Sequence, residues 1–310
     1  MVRRAALIVL SLLITPVSGA TRERQPPDFS GLWSNATLTD FERPERFKTL
    51  VISDEAAAAY EKERRGKPPE APPEDNVGGI ESEWWETDVG LTRIDGQARS
   101  SLLTFPEDGQ VPASEATRAA QKARRARRMV DFDNPESRGR SERCLSVDSA
   151  GPPMIGGGYN DNYLIVQTPE LMAIYSEDAF AVRIVRLNNK PHPPFNQRFE
   201  MGDSAGHWEG QTLVIETTNF TPAEVGAPDG DPKADMRVVE RMTRLPNGEI
   251  HYAFQVEDPA SSTQPWRGEQ LFYPSKGPIY EYACHEGNYS LPSILRAARA
   301  ADAAGSTAGK

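Results

Sequence analysis

The sequence predicts a mainly β protein, an antiparallel meander closing into a barrel-like or curved-sandwich domain with helical decorations near its N-terminus. Two observations carry this. From Asn162 to Cys284 the chain offers run after run in which apolar and polar side chains alternate at period two, the β repeat. The runs follow one another at short spacing with no helical stretch between them, which excludes βαβ units and favours antiparallel neighbours. A length of 310 residues allows one large domain or two small ones, and nothing divides the β part into two cores.

Residues 1–20 read as an export leader. Arg3 and Arg4 supply the positive start, Ala5 to Ile14 an apolar run, and Ser18-Gly19-Ala20 the small residues of a cleavage site. The run falls short of the roughly 20 residues that cross a bilayer, so cleavage is expected rather than an anchor. No later stretch is apolar enough to span. The mature chain is therefore expected to be periplasmic or secreted. Thr21 to Pro27 is a polar lead-in to a first strand at Asp28-Phe29-Ser30-Gly31-Leu32-Trp33-Ser34. Its Gly31-Leu32-Trp33 is similar to the opening of lipocalin-like barrels, where the glycine allows close approach and the tryptophan plugs one end. Trp33 is equally expected as an ordinary core aromatic.

Ser53 to Arg65 predicts a helix with Ser53 or Asp54 as N-cap, ended by Gly66. Residues 67–75 form a Pro/Glu-rich loop, followed by Trp84 and Trp85. Arg99 to Phe105 reads as a strand and Pro106 to Gly109 as a turn. Ser114 to Met129 predicts a second helix, with a basic run from Arg118 to Arg128. Such a run marks either an acidic partner or a solvated face, and the acidic remainder of the chain favours the face. The decorations thus span about 53–75 and 114–143.

Gly156-Gly157-Gly158 lacks the following helix and the Lys-Ser/Thr of a phosphate cradle. Strands are expected at Asn162–Thr168, Leu171–Tyr175, Ala181–Leu187, Thr212–Thr218, Val238–Leu245, Glu249–Glu257, Trp266–Tyr273 and Ile279–Cys284. Pro246-Asn247-Gly248 makes a hairpin turn. In the first of these strands Tyr163, Ile165 and Gln167 share one side, and Leu164 and Val166 the other. The inward set is expected to be Trp33, Leu103, Ile165, Ile174, Ile184, Leu213, Ile215, Phe254, Leu271 and Tyr282. One β-rich domain then occupies 21–290, with 291–310 a tail, partly helical or disordered.

The chain carries 35 basic and 45 acidic residues, a net charge of −10. Removing Arg3 and Arg4 with the leader leaves 33 against 45, or −12. That balance argues against nucleic acid or an anionic membrane as partner and leaves a small molecule open; oligomeric state is not legible. Cys144 and Cys284 are an even pair, expected to form one disulfide in an oxidising compartment. Neither has a second cysteine at metal-ligand spacing, so no metal is expected.

Several phrases occur together: Asp28-Phe29-Ser30-Gly31-Leu32-Trp33, Ser101-Leu102-Leu103-Thr104-Phe105-Pro106, Glu142-Arg143-Cys144, Gln167-Thr168-Pro169-Glu170, Pro191-His192-Pro193, Gly202-Asp203-Ser204 leading to Gly206-His207-Trp208-Glu209-Gly210, Glu257-Asp258-Pro259, and Glu281-Tyr282 with Cys284. In this order they resemble an uncharacterised family of exported bacterial proteins, over nearly the whole mature chain. The resemblance implies export and no particular reaction. The family commonly runs Cys-x-Pro-x-Gly where this chain has Cys144-Leu145-Ser146-Val147-Asp148.

The densest set of chemically capable side chains lies from Asp203 to Phe220. In a strand His207 and Glu209 point to one face and Trp208 to the other. Imidazole and carboxylate on one face suit acid–base work, with Asp203 four residues earlier and His192 approaching from a proline-bounded loop. The same residues also suit a sheet edge and a capped turn, while a metal would want a clearer ligand set. No Gly-x-Ser-x-Gly elbow is present.

Export, short successive strands and the aromatic supply lead to a barrel-like protein that binds a small, largely apolar molecule. His192, Trp208, Tyr163 and Trp266 are its candidate ligand contacts. A cofactor-independent acid–base enzyme (lyase, isomerase or hydratase) is the rival, with His207 as base and Glu209 or Asp203 as partner. A structural envelope protein comes third.

Overall fold

The computed structural model describes residues 25–65, 89–128, 130–139, 142–144, 151–156, 158–178, 181–188, 190–221 and 235–308. The expected export leader, the expected loop 67–75 and the Trp84-Trp85 pair lie outside the described residues.

Nine strands form a closed barrel. In sheet order they are β1 (Gly31–Ser34), β6 (Asn162–Gln167), β7 (Leu171–Ser176), β8 (Val182–Arg186), β9 (Asp203–Glu209), β10 (Thr212–Thr218), β11 (Arg237–Arg244), β12 (Ile250–Glu257) and β13 (Trp266–Pro274). The far end of β13 returns to β1 through Trp33↔Pro274 and Ser34↔Tyr273, so these strands leave no open edge. One joint departs from the expected meander. β8 and β9 run parallel, with Val185↔Ser204 and Arg186↔Ala205 in register. The proline-bearing stretch 187–202 carries the chain back along the sheet first, because parallel neighbours need a long crossover.

Two further expectations change. Residues 99–105 divide between two sheets. β4 (Gln97–Arg99) joins β2 (Val51–Ile52) and β3 (Arg93–Ile94), whereas β5 (Leu103–Phe105) extends the barrel sheet on β13. The chain turns between them because Ser100 N donates to Leu50 O at 2.8 Å and Leu102 N to Asp40 O at 2.8 Å. Ile279 to Cys284 is not a strand. Pro278 has no N–H to give a ladder, and Tyr280 N donates instead to Glu177 Oε1 at 3.1 Å.

Helix α1 (Asp54–Arg64) starts where expected, with Ser53 Oγ accepting from Ala56 N at 3.3 Å. Its buried Ala57 and Tyr60 pack with Leu38, Leu91 and Ala98 in a small second cluster beside the barrel. Helix α2 (Glu115–Arg128) opens on Ser114, whose Oγ accepts from Thr117 N at 3.1 Å. Its described side chains face water, so the basic run is a solvated face. Helix α3 (Ser290–Ala308) forms most of the tail. No helix among the described residues is long and apolar enough to cross a membrane. Cys144 and Cys284 form a disulfide, with Cα atoms 5.7 Å apart.

Alternation fills the barrel from every strand but β9: Trp33, Tyr163, Ile165, Met172, Ile174, Val185, Leu213, Ile215, Val238, Met242, Tyr252, Phe254 and Phe272 are buried in one cluster, and Trp208 of β9 packs against it partly buried. Ile184 does not join them and stands 48% exposed. In β8 the phase is the reverse of the expected one, and Arg183 goes inward instead. Its guanidinium donates to Glu240 through both terminal nitrogens, to Ser204 Oγ at 2.9 Å and to Thr217 Oγ1 at 2.9 Å. Tyr252 donates its hydroxyl to Glu240 at 2.7 Å and accepts from Met154 N at 2.8 Å. Gln270 and Asn35 both donate to Met154 O. Met154 is thereby pulled into the lumen, and the segment 151–156 plugs it.

Candidate functional site

The side chains singled out in the sequence fall in three places. Tyr163 is wholly buried and receives Asn35 Nδ2 on its hydroxyl at 3.4 Å. Trp208 points inward and stacks on Phe29, ring centroids 5.9 Å apart and 8° from parallel. Trp266 lies edge-on to Phe254 at 5.9 Å and to Phe41 at 5.8 Å. Tyr163 belongs to the buried core, and Trp208 and Trp266 pack against it.

His192 and Asp203 come together on the outer wall, Nδ1 to Oδ2 at 2.6 Å. Asp203 also accepts from Arg186, and His192 Nε2 lies 3.4 Å from Glu216. Glu216 continues to Arg237, which reaches Glu257 at 3.2 Å. The result is a chain of charged and polar side chains across five strands, joined at its middle by the His192 ring.

His207 and Glu209 share a face as the alternation requires, but 3.4 Å apart and 55% and 50% exposed. Arg241, donating to Glu209 at 2.6 Å, is the main cause holding that carboxyl below its usual range, with His207 adding to it. Four strand residues, or about 13 Å, separate His207 from Asp203, so the acidic pair and the second histidine are not gathered at one point. Among the described residues no three His, Cys, Asp or Glu side chains are placed to hold a metal.

A concave site lies elsewhere, on the outer face of β1, β6, β7 and β8. Cross-strand register sets Leu32, Leu164, Tyr175 and Val182 in one row and Val166, Ala173 and Ile184 in the next. Antiparallel strands with one solvated face ordinarily carry polar residues there. These carry none. Residues 275–283 run across this face as a strap. Ser275 N donates to Leu32 O at 2.8 Å and Ser275 Oγ meets Asn162 Oδ1 at 3.1 Å. Gly277 lies so close on Leu32 that a Cβ would overlap its Cδ2. Tyr280 N is held by Glu177, and Cys284 closes the disulfide. Between strap and sheet lies a groove of about 630 Å³, lined by Leu32, Leu164, Tyr175, Ile279, Tyr280 and Glu281. None of these was a candidate from sequence. The signal was Leu164 and Val166, apolar on the side of β6 opposite its core face.

Fold and site together define a closed-barrel protein with a filled lumen and a strapped groove on its outer wall. Compared with known proteins, the chain matches no family model, no curated protein and no solved structure.

Proposed function

We propose that this protein binds a small, largely apolar molecule, and that it does so in the strapped groove rather than in the lumen. The observation that carries the reading is the groove itself. It is a concavity of about 630 Å³, within the usual range for small-molecule sites, floored by Leu32 and Leu164 and walled by Tyr175, Ile279 and Tyr280. Apolar side chains left open on Val166, Val182 and Ile184 continue the floor, and a contiguous patch of this kind marks a binding surface. The same proposal places the mature chain in the periplasm or outside the cell, within the exported family whose phrases it resembles. The leader-like residues 1–20 and the Cys144–Cys284 bond support that placement.

The test is titration of the mature protein with the neutral fluorescent probe N-phenyl-1-naphthylamine. Leu164→Glu puts a charge on the groove floor and is expected to weaken binding at least about tenfold, since it removes on the order of 1.5 kcal/mol of apolar contact. His207→Ala is expected to leave binding unchanged. Equal binding by wild type and Leu164→Glu would overturn the assignment to the groove.

A further inference from the structure

We infer that the molecule held in the groove carries a positive charge beside its apolar part, as an alkyl- or arylammonium does. This rests on the groove reading and adds the chemistry of the ligand's head. The lining contains no Lys, Arg or His. Its one charged member is Glu281, which is exposed and has no ion-pair partner among the described residues. A second carboxyl, Glu177, lies against the strap and is almost fully buried. One of its oxygens accepts from Tyr280 N and the other from Asn162 Nδ2 at 2.8 Å, and no described basic group is paired with it. Lys276, the one basic residue of the strap, does not line the groove.

An anionic head would meet carboxylates with nothing to balance it. A neutral head would leave Glu281 in water without gain. A cation alone turns this one-signed field to attraction, and the chain's net charge of −10 adds to it at longer range. The aromatic lining fits the same head. Tyr280 is 71% exposed and neither it nor Tyr175 stacks on another described ring, so both keep a π face available. Faces of this kind attract quaternary ammonium, and two of them with a carboxylate make an open cage. The apolar remainder would lie along Leu164, Val166, Ala173 and Ile184, which run away from the cage with no charge among them.

Calorimetric titration of the full mature chain with decyltrimethylammonium, decanol and decyl sulfate, each below its aggregation limit, tests this with one tail and three heads. The expected order is ammonium first by about tenfold, decanol next and sulfate last, with the ammonium preference shrinking as salt is raised. Glu281→Gln with Tyr280→Leu, at two exposed positions and with the fold checked by circular dichroism, is expected to bring the ammonium and decanol affinities of that variant together, whatever the loss of the Tyr280 wall costs both. Equal binding of ammonium and decanol, or tightest binding of sulfate, overturns the cationic head and leaves the apolar groove standing. A preference that survives in the double variant reflects general attraction to an acidic surface and overturns it too. Failure of all three to bind sinks the groove reading itself.

Discussion

Arg183 sits where a lone charge is least tolerated, 3% exposed at the centre of a β-barrel, opposite a Glu240 that is wholly buried. Burial by itself pushes the guanidinium down, yet Glu240 more than offsets this and its pKa is raised. Removing one partner strands the other, at a cost of about 3–5 kcal/mol, whereas apolar replacement of both is often neutral. Glu240→Leu is therefore expected to lower urea-unfolding stability by about that amount, and Arg183→Met with Glu240→Leu to recover most of it. His207→Ala, on an exposed pair, is expected to change stability by less than about 0.5 kcal/mol in the same assay. The sequence could not reveal the Arg183 pairing. β8 reads Val-Arg-Ile-Val-Arg, composition favours Ile184 inward, and the partner that reverses the phase lies 57 residues away. Tyr60 offers a pH handle at the same scale. Burial, together with its hydrogen bond to Asp40, pushes its hydroxyl up to about 12. The folded state therefore prefers the neutral phenol more than the unfolded chain does. This part of the stability is complete below about pH 10 and lost as pH rises toward 12. Tyr60→Phe should flatten the loss of urea stability over that window, and an unchanged slope would count against the assignment.

At the scale of elements, local signals served well where one strand or helix decides its own limits. The Ser53 cap fixed the start of α1, and alternation found β6, β7, β10, β11, β12 and β13 to within a residue or so. It failed where the decision is made by something distant. The parallel seating of β8 on β9 depends on the path of residues 187–202, and the strap depends on Leu32 and Glu177, neither near it in sequence. The apolar outer side of β6 is visible in the sequence, but alternation alone cannot say whether a second apolar face is covered, so the groove is not legible there. Gly277 is where the strap is most sensitive. It holds φ +56°, costly for a side-chain-bearing residue, and presses on Leu32. Gly277→Ala is expected to cost about 1–3 kcal/mol in urea unfolding and to weaken probe binding, because the strap must lift from β1 to relieve the contact. Loss of stability with binding unchanged would show that the groove does not depend on the strap's seating.

For the molecule as a whole, one covalent bond joins the two devices that β pairing does not explain. Cys144 lies shortly before the segment 151–156 that plugs the lumen, and Cys284 ends the strap that walls the groove. The pair was legible from cysteine count and expected compartment, but its position between plug and strap was not, since that requires the barrel to be closed first. The closed loop spans 140 residues, so by chain entropy alone the bond is worth roughly 4 to 5 kcal/mol. Nearly all of that acts on the unfolded chain, because the barrel's ladders and its Arg183–Glu240 centre are independent of it. Cys144→Ala with Cys284→Ala is therefore expected to keep the barrel's circular dichroism at 25 °C while shifting the urea midpoint down. Strap and plug then lose their common anchor, and affinity for an apolar probe should fall severalfold even where the protein is fully folded. The protein with both cysteines intact, unfolded without reductant, should titrate no free thiol. Affinity unchanged in the double variant would mean that Ser275 and Tyr280 alone hold the strap. In that case the disulfide serves stability only, and the groove must be regarded as a feature of the sheet rather than of the bond.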